Sequence, residues 1–315
     1  KKVNQVIKSF KNKHILVVGD SILDKTVLTR AIGISLESPT LKTREIEENI
    51  SFGGASNVAK NVLALGAECT FLTLLGKDEY FKNYVELGKE LNMMSTMSNR
   101  KNTVKSRYWV EKEDVRYKYL QINRGTSAPI SENEFSELFS KFKKVLFSVD
   151  TVVFVDYNTG VFSNKNNTSL MIEAASAAGK TTIVNSQISD GENRYPRFAG
   201  ATLFCMNKVE ALSNYPLFTA TDAGMKGLCN LLSTDVCVTL GDEGCIASIS
   251  GTTIKIPANF VEPIDPTGAG DSFLAALSVS LPEQDFRFCN LWASLSTRKI
   301  GTNCPSLEEI NEPNE

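Results

Sequence analysis

The sequence predicts an α/β fold built on a mostly parallel sheet with helices on both faces. Short, fully apolar runs of strand length recur along the chain, and segments of helical length separate them. Two polar, alternating segments interrupt that rhythm and point to a second, smaller sheet.

The run 14–19 (HILVVG) ends in Gly19-Asp20 and predicts the first buried strand. Runs at 69–75, 151–155 (TVVFV), 181–184 (TTIV), 202–206 and 236–240 (VCVTL) predict further strands. Strands of a parallel sheet are covered on both faces, so they read as continuous apolar runs. Helices are predicted over 56–65, 78–91, 132–147, 168–178 and 222–232. The segment 26–52 is polar and rich in β-branched residues, and 103–122 alternates with a turn at Glu113-Asp114. Both read as antiparallel strands outside the main sheet, placed to act as a lid or else to decorate an edge.

Composition narrows the function. The chain has 315 residues, 42% of them hydrophobic, which is ample for a core. A net charge of -2, with no basic run, argues against a nucleic-acid partner. No apolar run reaches the roughly 18 residues of a membrane span. The segment 1–13 is basic and lacks an apolar stretch, so no secretory signal is expected; the missing initiator Met leaves room for residues upstream. Seven cysteines without paired spacing point to a reducing, cytoplasmic setting, which makes the sequons at Asn166 and Asn167 chance matches. The single histidine, His14, excludes most mechanisms built on a histidine base or ligand.

The segment 265–273 (DPTGAGDSF) carries the strongest chemical signal. Gly268 and Gly270 allow a tight turn and a close backbone approach. The helix that follows points free N–H groups at the same place, so Thr267, Gly268, Ala269 and Gly270 form an anion hole. Asp271 sits in the first helical turn, where a carboxylate beside a phosphate fits phosphoryl transfer to a hydroxyl. The bland alternative is a capped turn. No Gly-Lys-Ser/Thr follows, so this is not a Walker loop.

Gly53, Gly54 and Asn57 open a helix and suit contact with a polyol, or simply a glycine turn. Asn207 and Glu210 lie at a helix start, either as a capping box or on a triphosphate–Mg²⁺ side. Gly19-Asp-Ser-Ile-Leu23 imitates a serine-esterase block with Ser21 as nucleophile. That enzyme needs a nearby histidine, and His14 lies at the far end of a strand roughly 20 Å long.

Together the blocks GGASNVAKNVLALGA and DPTGAGDSF resemble those of the ribokinase (PfkB) family of carbohydrate kinases, over about residues 15–306. The resemblance implies a Rossmann-like ribokinase fold with a small β lid, a single kinase domain over 1–315 with lid segments at about 26–52 and 103–122. Within the family, GDSILDK, SLESPTLK, TVKSR, FVDYNTG, RYPRFAGATLFCMNKVEA and RKIGTNCPS are most similar to the branch that phosphorylates D-glycero-β-D-manno-heptose 7-phosphate on the ADP-heptose pathway, and so toward lipopolysaccharide. It implies Asp24 and Asn57 on sugar hydroxyls, with Gly53, Gly54, Asp156 and Asn185 also on the substrate side. It implies Asn207 and Glu210 as the magnesium and phosphate element, Glu210 acting through water, and Asp271 as catalytic base. Thr239 and Gly241 fall where the adenosine pocket begins.

One position departs. Relatives carry Asp-Pro-Lys where this chain reads Asn185-Ser186-Gln187, which removes a cation near the acceptor. Lys105, Arg107 and Arg194 are candidates to replace it, or are ordinary surface charges. The heptose-phosphorylating branch is often fused to a nucleotidyltransferase whose histidine motif one histidine cannot supply, so the kinase half alone is expected. ATP and Mg²⁺ are the expected cofactors, with K⁺ left open. The expected partner is a small-molecule sugar, and the chain is expected as a monomer or a homodimer through the lid. Rival readings are another acceptor (fructose 6-phosphate, ribose or a nucleoside) and a nucleotide- or sugar-binding protein without turnover.

Overall fold

The structure is a computed structural model that describes residues 2–188, 192–259 and 261–311. In chain order the strands are β1 (His14–Gly19), β2 (Ser21–Ile34), β3 (Leu41–Gly53), β4 (Glu68–Gly76), β5 (Asn92–Ser98), β6 (Thr103–Lys112), β7 (Val115–Arg124), β8 (Thr151–Asp156), β9 (Thr181–Ser186), β10 (Leu203–Asn207), β11 (Asp235–Thr239), β12 (Cys245–Ile249) and β13 (Thr252–Ile256). The helices are α1 (Lys2–Phe10), α2 (Gly54–Ala64), α3 (Phe81–Leu87), α4 (Glu132–Val145), α5 (Lys165–Ala177), α6 (Lys208–Asn214), α7 (Asp222–Leu232), α8 (Ala269–Ser280) and α9 (Phe286–Ser296).

Among the described residues the main sheet has nine strands in the order β13-β12-β11-β10-β9-β8-β1-β4-β5. The seven from β11 to β5 pair in parallel, and β12 and β13 close one edge antiparallel. Alternate residues of β1 feed two cores. Ile15 and Val17 join the one lined by α2, α8 and α9, while Leu16 and Val18 join the one lined by α4, α5 and α7. This is why the run reads as continuously apolar. No helix among the described residues is long and apolar enough to cross a membrane. The seven cysteines are free thiols, five of them buried.

Each predicted lid segment forms an antiparallel hairpin, β2 with β3 and β6 with β7. The two hairpins join through a parallel pairing of β2 with β6, giving a four-stranded sheet. The lid starts earlier than the sequence suggests, because β2 follows β1 with only Asp20 between them. Helix α3 is shorter than 78–91, since Asp78 is drawn out to Asn102, just ahead of β6, and to Arg124 of β7. Strand β5 escaped the apolar-run criterion because NMMSTMS is half polar, as suits an edge strand.

A buried ion pair fixes the end of β8. Arg194 donates to both oxygens of Asp156, at 2.7 and 3.1 Å, and the two side chains are 3% and 0% exposed. Ser186 Oγ adds a third donor at 2.8 Å. Arg194 is therefore no surface charge. Replacing it leaves a buried carboxylate without its cation. Arg194→Met is expected to lower unfolding free energy by about 3–5 kcal/mol, read from urea denaturation.

Candidate active site

The strand order reverses at β1. The chain leaves it toward β4 and β5, then returns to β8 on its other side and proceeds outward to β11. Such a switch opens a crevice at the carboxyl ends of the two strands. Asp20, the residue after β1, is buried there. Its carboxylate accepts the backbone N–H groups of Tyr157 (2.8 Å), Thr159 (3.3 Å) and Val161 (3.2 Å), and its carbonyl accepts that of Ala55 in α2 (3.0 Å). Burial, with Asp156 close by, pushes the Asp20 carboxyl up to about 6.

Asp271, in the first turn of α8, faces this crevice and is 4% exposed. Its Oδ2 accepts from Asn57 Nδ2 at 3.0 Å and its Oδ1 from the Tyr157 hydroxyl at 2.6 Å. Burial pushes its pKa up to about 6 against these two donors, which favour the carboxylate. Gly268 caps α8 with φ of +83°, a left-handed geometry that favours glycine. A Cβ there would also stand 2.9 Å from Thr302 Cγ2 and 3.0 Å from Asn57 Nδ2. Asp265 holds the turn by accepting from Thr267 Oγ1 (2.7 Å) and from the Gly301 N–H (2.9 Å). The Ala269 amide bends back to the Pro266 carbonyl at 3.1 Å. Those of Gly270 and Asp271 belong to the first helical turn, where no intrahelical acceptor exists.

Asp24 of β2 faces the same space. It accepts from Arg107 at 2.7 Å and from the Thr302 hydroxyl. Gly53 passes so close that a Cβ would lie 2.4 Å from Asp24 Oδ2. Lys105, next to Arg107 on the lid face, carries its ammonium 5.0 Å above the Tyr157 ring. Desolvation lowers its pKa, partly offset by Asp24 and Asp271.

A second group lies further along the sheet's carboxyl edge. Asn207 and Glu210 form a reciprocal capping box at the start of α6, with bonds of 2.8 and 2.9 Å. Glu210 is buried and its pKa rises to about 7, since burial outweighs the Asn207 amide and the Tyr195 hydroxyl that support its charge. None of the described salt bridges reaches it, so a hard cation would fit its needs. Among the described residues, no cluster of three or more His, Cys, Asp or Glu is placed to hold a metal, so phosphate oxygens and water would complete such a shell. Asn185 donates to the Cys205 carbonyl at 3.0 Å. Asp156 is engaged by Arg194 and stands behind the surface rather than on it. Thr239 and Gly241 mark the end of β11, beyond Asn207 on β10.

The structure thus gathers Asp271, Asn57, Gly268, Asp24, Gly53, Lys105 and Arg107 around one point, and Asn207, Glu210 and Asn185 around another. The sequence reading did not single out Tyr157, Thr302, Asp20 or Tyr195. The signal for Tyr157 was its place just past a buried strand at the switch point. Thr302 carries no such local mark. Ser21, by contrast, donates to the Leu74 carbonyl at 3.2 Å, while His14, at the other end of β1, bonds Thr70, so no esterase pair exists.

A doubly wound sheet, a small second sheet beside its switch point, and a buried carboxylate at a glycine-turned helix start together frame a crevice that suits a small molecule. The pfkB family carbohydrate kinase pattern matches residues 12–309, and the chain belongs to that family. Its relatives include the bifunctional protein HldE of Campylobacter fetus subsp. fetus, 29% identical over 311 residues, covering 94% of this chain and 65% of the relative. HldE of Nitratiruptor sp. is also 29% identical, covering 95% and 64%. The chain therefore spans a little under two thirds of these relatives. In fold it is similar to phosphofructokinase-2 of Escherichia coli in complex with substrates and products (TM-score 0.76, 22% identity, 95% of this chain and 96% of that one). It is similar as well to Arabidopsis thaliana ribokinase complexed with ribose and ATP (TM-score 0.71, 18% identity, 95% and 97%).

Asp271 binds a proton more tightly folded than unfolded, because its pKa is raised from 3.8 to about 6. Over that window the folded state holds more protons, so stability falls as pH rises. Urea midpoints of the wild type are expected to drop more steeply between about pH 4 and about pH 6 than those of Asp271→Asn, which lacks this titration.

Proposed function

We propose that the chain transfers the γ-phosphoryl group of ATP to a sugar hydroxyl, with heptose 7-phosphate or a related sugar phosphate as acceptor. The single observation carrying this is Asp271, a buried carboxylate with a pKa near neutrality, held by Asn57 and Tyr157 beside the α8 turn. A general base works best when its pKa lies near the operating pH. Asp271 takes the proton of the attacking hydroxyl. A new oxygen–phosphorus bond forms as the bond from the γ-phosphorus to ADP breaks, and ADP leaves. The amides of Gly268, Ala269 and Gly270, with Thr267, face the transferring group as the anion hole. Of these, Ala269 must give up its bond to Pro266 to take part.

Asp24, Gly53, Gly54 and Asn57 orient the sugar, and β2 and β6 of the lid exclude water from the crevice. Asn207 and Glu210 hold the nucleotide side, with Thr239 and Gly241 at the adenosine end. Bound Mg²⁺ would neutralise charge on the phosphate oxygens, and Glu210, buried without a cation, is the group placed to hold it, through water. Asp156 and Asn185 act behind this surface, holding the strand ends in place. Potassium in one Escherichia coli phosphofructokinase-2 structure supports testing K⁺ as an activator.

The acceptor class rests on the HldE relatives and on Lys105, a partly desolvated cation whose ring contact with Tyr157 leaves it suited to an anion. Lys105 takes the role of the lysine replaced by Gln187. The Gln187 substitution itself favours the second reading, an unphosphorylated sugar. The whole chain acts as one kinase unit in the cytoplasm. A homodimer through the lid, rather than a monomer, is supported by exposed Leu41 and Ile46 on β3 and Val115, Tyr117 and Ile122 on β7, its two edge strands.

The test is ADP release from MgATP across heptose 7-phosphate, fructose 6-phosphate, ribose and adenosine. Heptose 7-phosphate is expected to stimulate turnover, and Asp271→Asn to lower it by about 10²–10⁴-fold. A base must be deprotonated, so wild-type kcat/KM is expected to fall as pH drops below about 6. In the same panel, Lys105→Met is expected to raise KM for a sugar phosphate about tenfold and to leave that for ribose unchanged. If no acceptor stimulates ADP release, the reading gives way to a binding protein without turnover.

A further inference from the structure

Behind Asp271 runs a chain of buried hydrogen bonds whose far members, Trp292 and Asn61, the proposed reaction does not use. The indole Nε1 of Trp292 on α9 donates to Asn61 Oδ1 at 2.9 Å. Asn61 Nδ2 donates to the Asn57 carbonyl at 2.8 Å and to Asn57 Oδ1 at 2.9 Å. Asn57 Nδ2 then donates to Asp271 Oδ2 at 3.0 Å. Trp292 and Asn61 are 0% exposed and Asn57 is 1% exposed, so water cannot substitute at any link.

The direction of this chain is not a free choice. An amide side chain can turn over and exchange its donor and acceptor ends, but an indole N–H can only donate. Trp292 stands in the core, its ring stacked on Phe288 at 6.3 Å, so it cannot turn away. Asn61 must therefore present oxygen to the indole and nitrogen to Asn57. That donation commits Asn57 Oδ1 as an acceptor, which leaves its nitrogen for Asp271. Reversing either amide would set two buried donors face to face and strand two acceptors.

We infer that Trp292 and Asn61 are positioning residues for the carboxylate, locking the Asn57 amide so that Asp271 always meets a donor at Oδ2. A carboxylate met by N–H is favoured over the neutral acid. Without the lock, Asn57 can present its carbonyl instead, which favours the protonated form. The other groups facing Asp271 are the Tyr157 hydroxyl, Lys105 on β6, and Asp24 on β2 with its partner Arg107. Lys105 supports the charge on Asp271 and Asp24 opposes it; none of these four contacts runs through α9.

The kinetic consequence rests on the kinase reading, but the wire itself can be observed without turnover. The chain has two tryptophans, so its indole N–H resonances are readily assigned, with Trp109 as internal reference. The Trp292 resonance is expected to shift between pH 5 and pH 7.5 with a midpoint near that of Asp271. The shift is expected to vanish in Asp271→Asn and in Asn61→Leu. A Trp292 resonance that does not titrate, or that titrates unchanged in Asn61→Leu, overturns the inference. In turnover with heptose 7-phosphate, Trp292→Phe and Asn61→Leu are expected to move the acid limb of kcat/KM to higher pH by about one unit, leaving KM for ATP within about twofold. An unmoved limb in a folded variant also overturns it, and Asn61→Leu carries the test if Trp292→Phe fails to fold. If no sugar is phosphorylated at all, the kinase reading fails and the resonance still decides the wire.

Discussion

The site hangs on a single side chain, Asp20. The chain must leave β1 in one direction and return beside it from the other, which opens a gap at the carboxyl ends of β1 and β8. Backbone N–H groups in such a gap need partners, since burial without them is costly. Asp20 supplies acceptors to the amides of Tyr157, Thr159 and Val161, and its carbonyl takes that of Ala55. One residue thereby ties the loop after β8 to the start of α2. Tyr157 and Asn57 ride on those two segments, and both reach Asp271.

Burying carboxylates is the cost of this arrangement. Asp20, Asp271 and Glu210 all have pKa values raised into the range of about 6 to 7, and burial is the leading cause each time. Asp156 is buried as well, and Arg194 meets it with a bidentate ion pair. Asp156 is given its cation within the fold, whereas Asp20, Asp271 and Glu210 receive only neutral hydrogen-bond donors, and Asp271 and Glu210 keep an affinity for a proton or an ion.

The small four-stranded sheet contributes charge to the site. Pairing β2 in parallel with β6 sets Asp24 opposite Lys105 and Thr26 opposite Arg107 in register. This register brings two cations from the second hairpin over a site whose other walls come from α2 and α8. Arg107 is neutralised by Asp24, while Lys105 rests on an aromatic face. A ring contact of that kind is weaker than an ion pair, so the ammonium remains suited to an anion.

By itself, the sequence determined the α/β class, the first core strands, the two lid segments and the glycine turn at Asp271. These are signalled locally: apolar runs of period one or two, polar alternation, and glycines just ahead of a helix. It also disposed of the esterase imitation at Ser21, because one histidine at the wrong end of a strand suffices. Local pattern could not show that Asp156 serves Arg194, that Thr302 reaches Asp24 from 278 residues away, or that Tyr157 closes on Asp271. Nor could it show that Trp292 meets Asn61 across 231 residues of sequence, so that two residues which read as ordinary helix positions align the Asn57 amide. Those partners are chosen by which helix ends and strand ends meet at the switch point. Only packing the whole chain brings them together, and only burial gives their hydrogen bonds a direction.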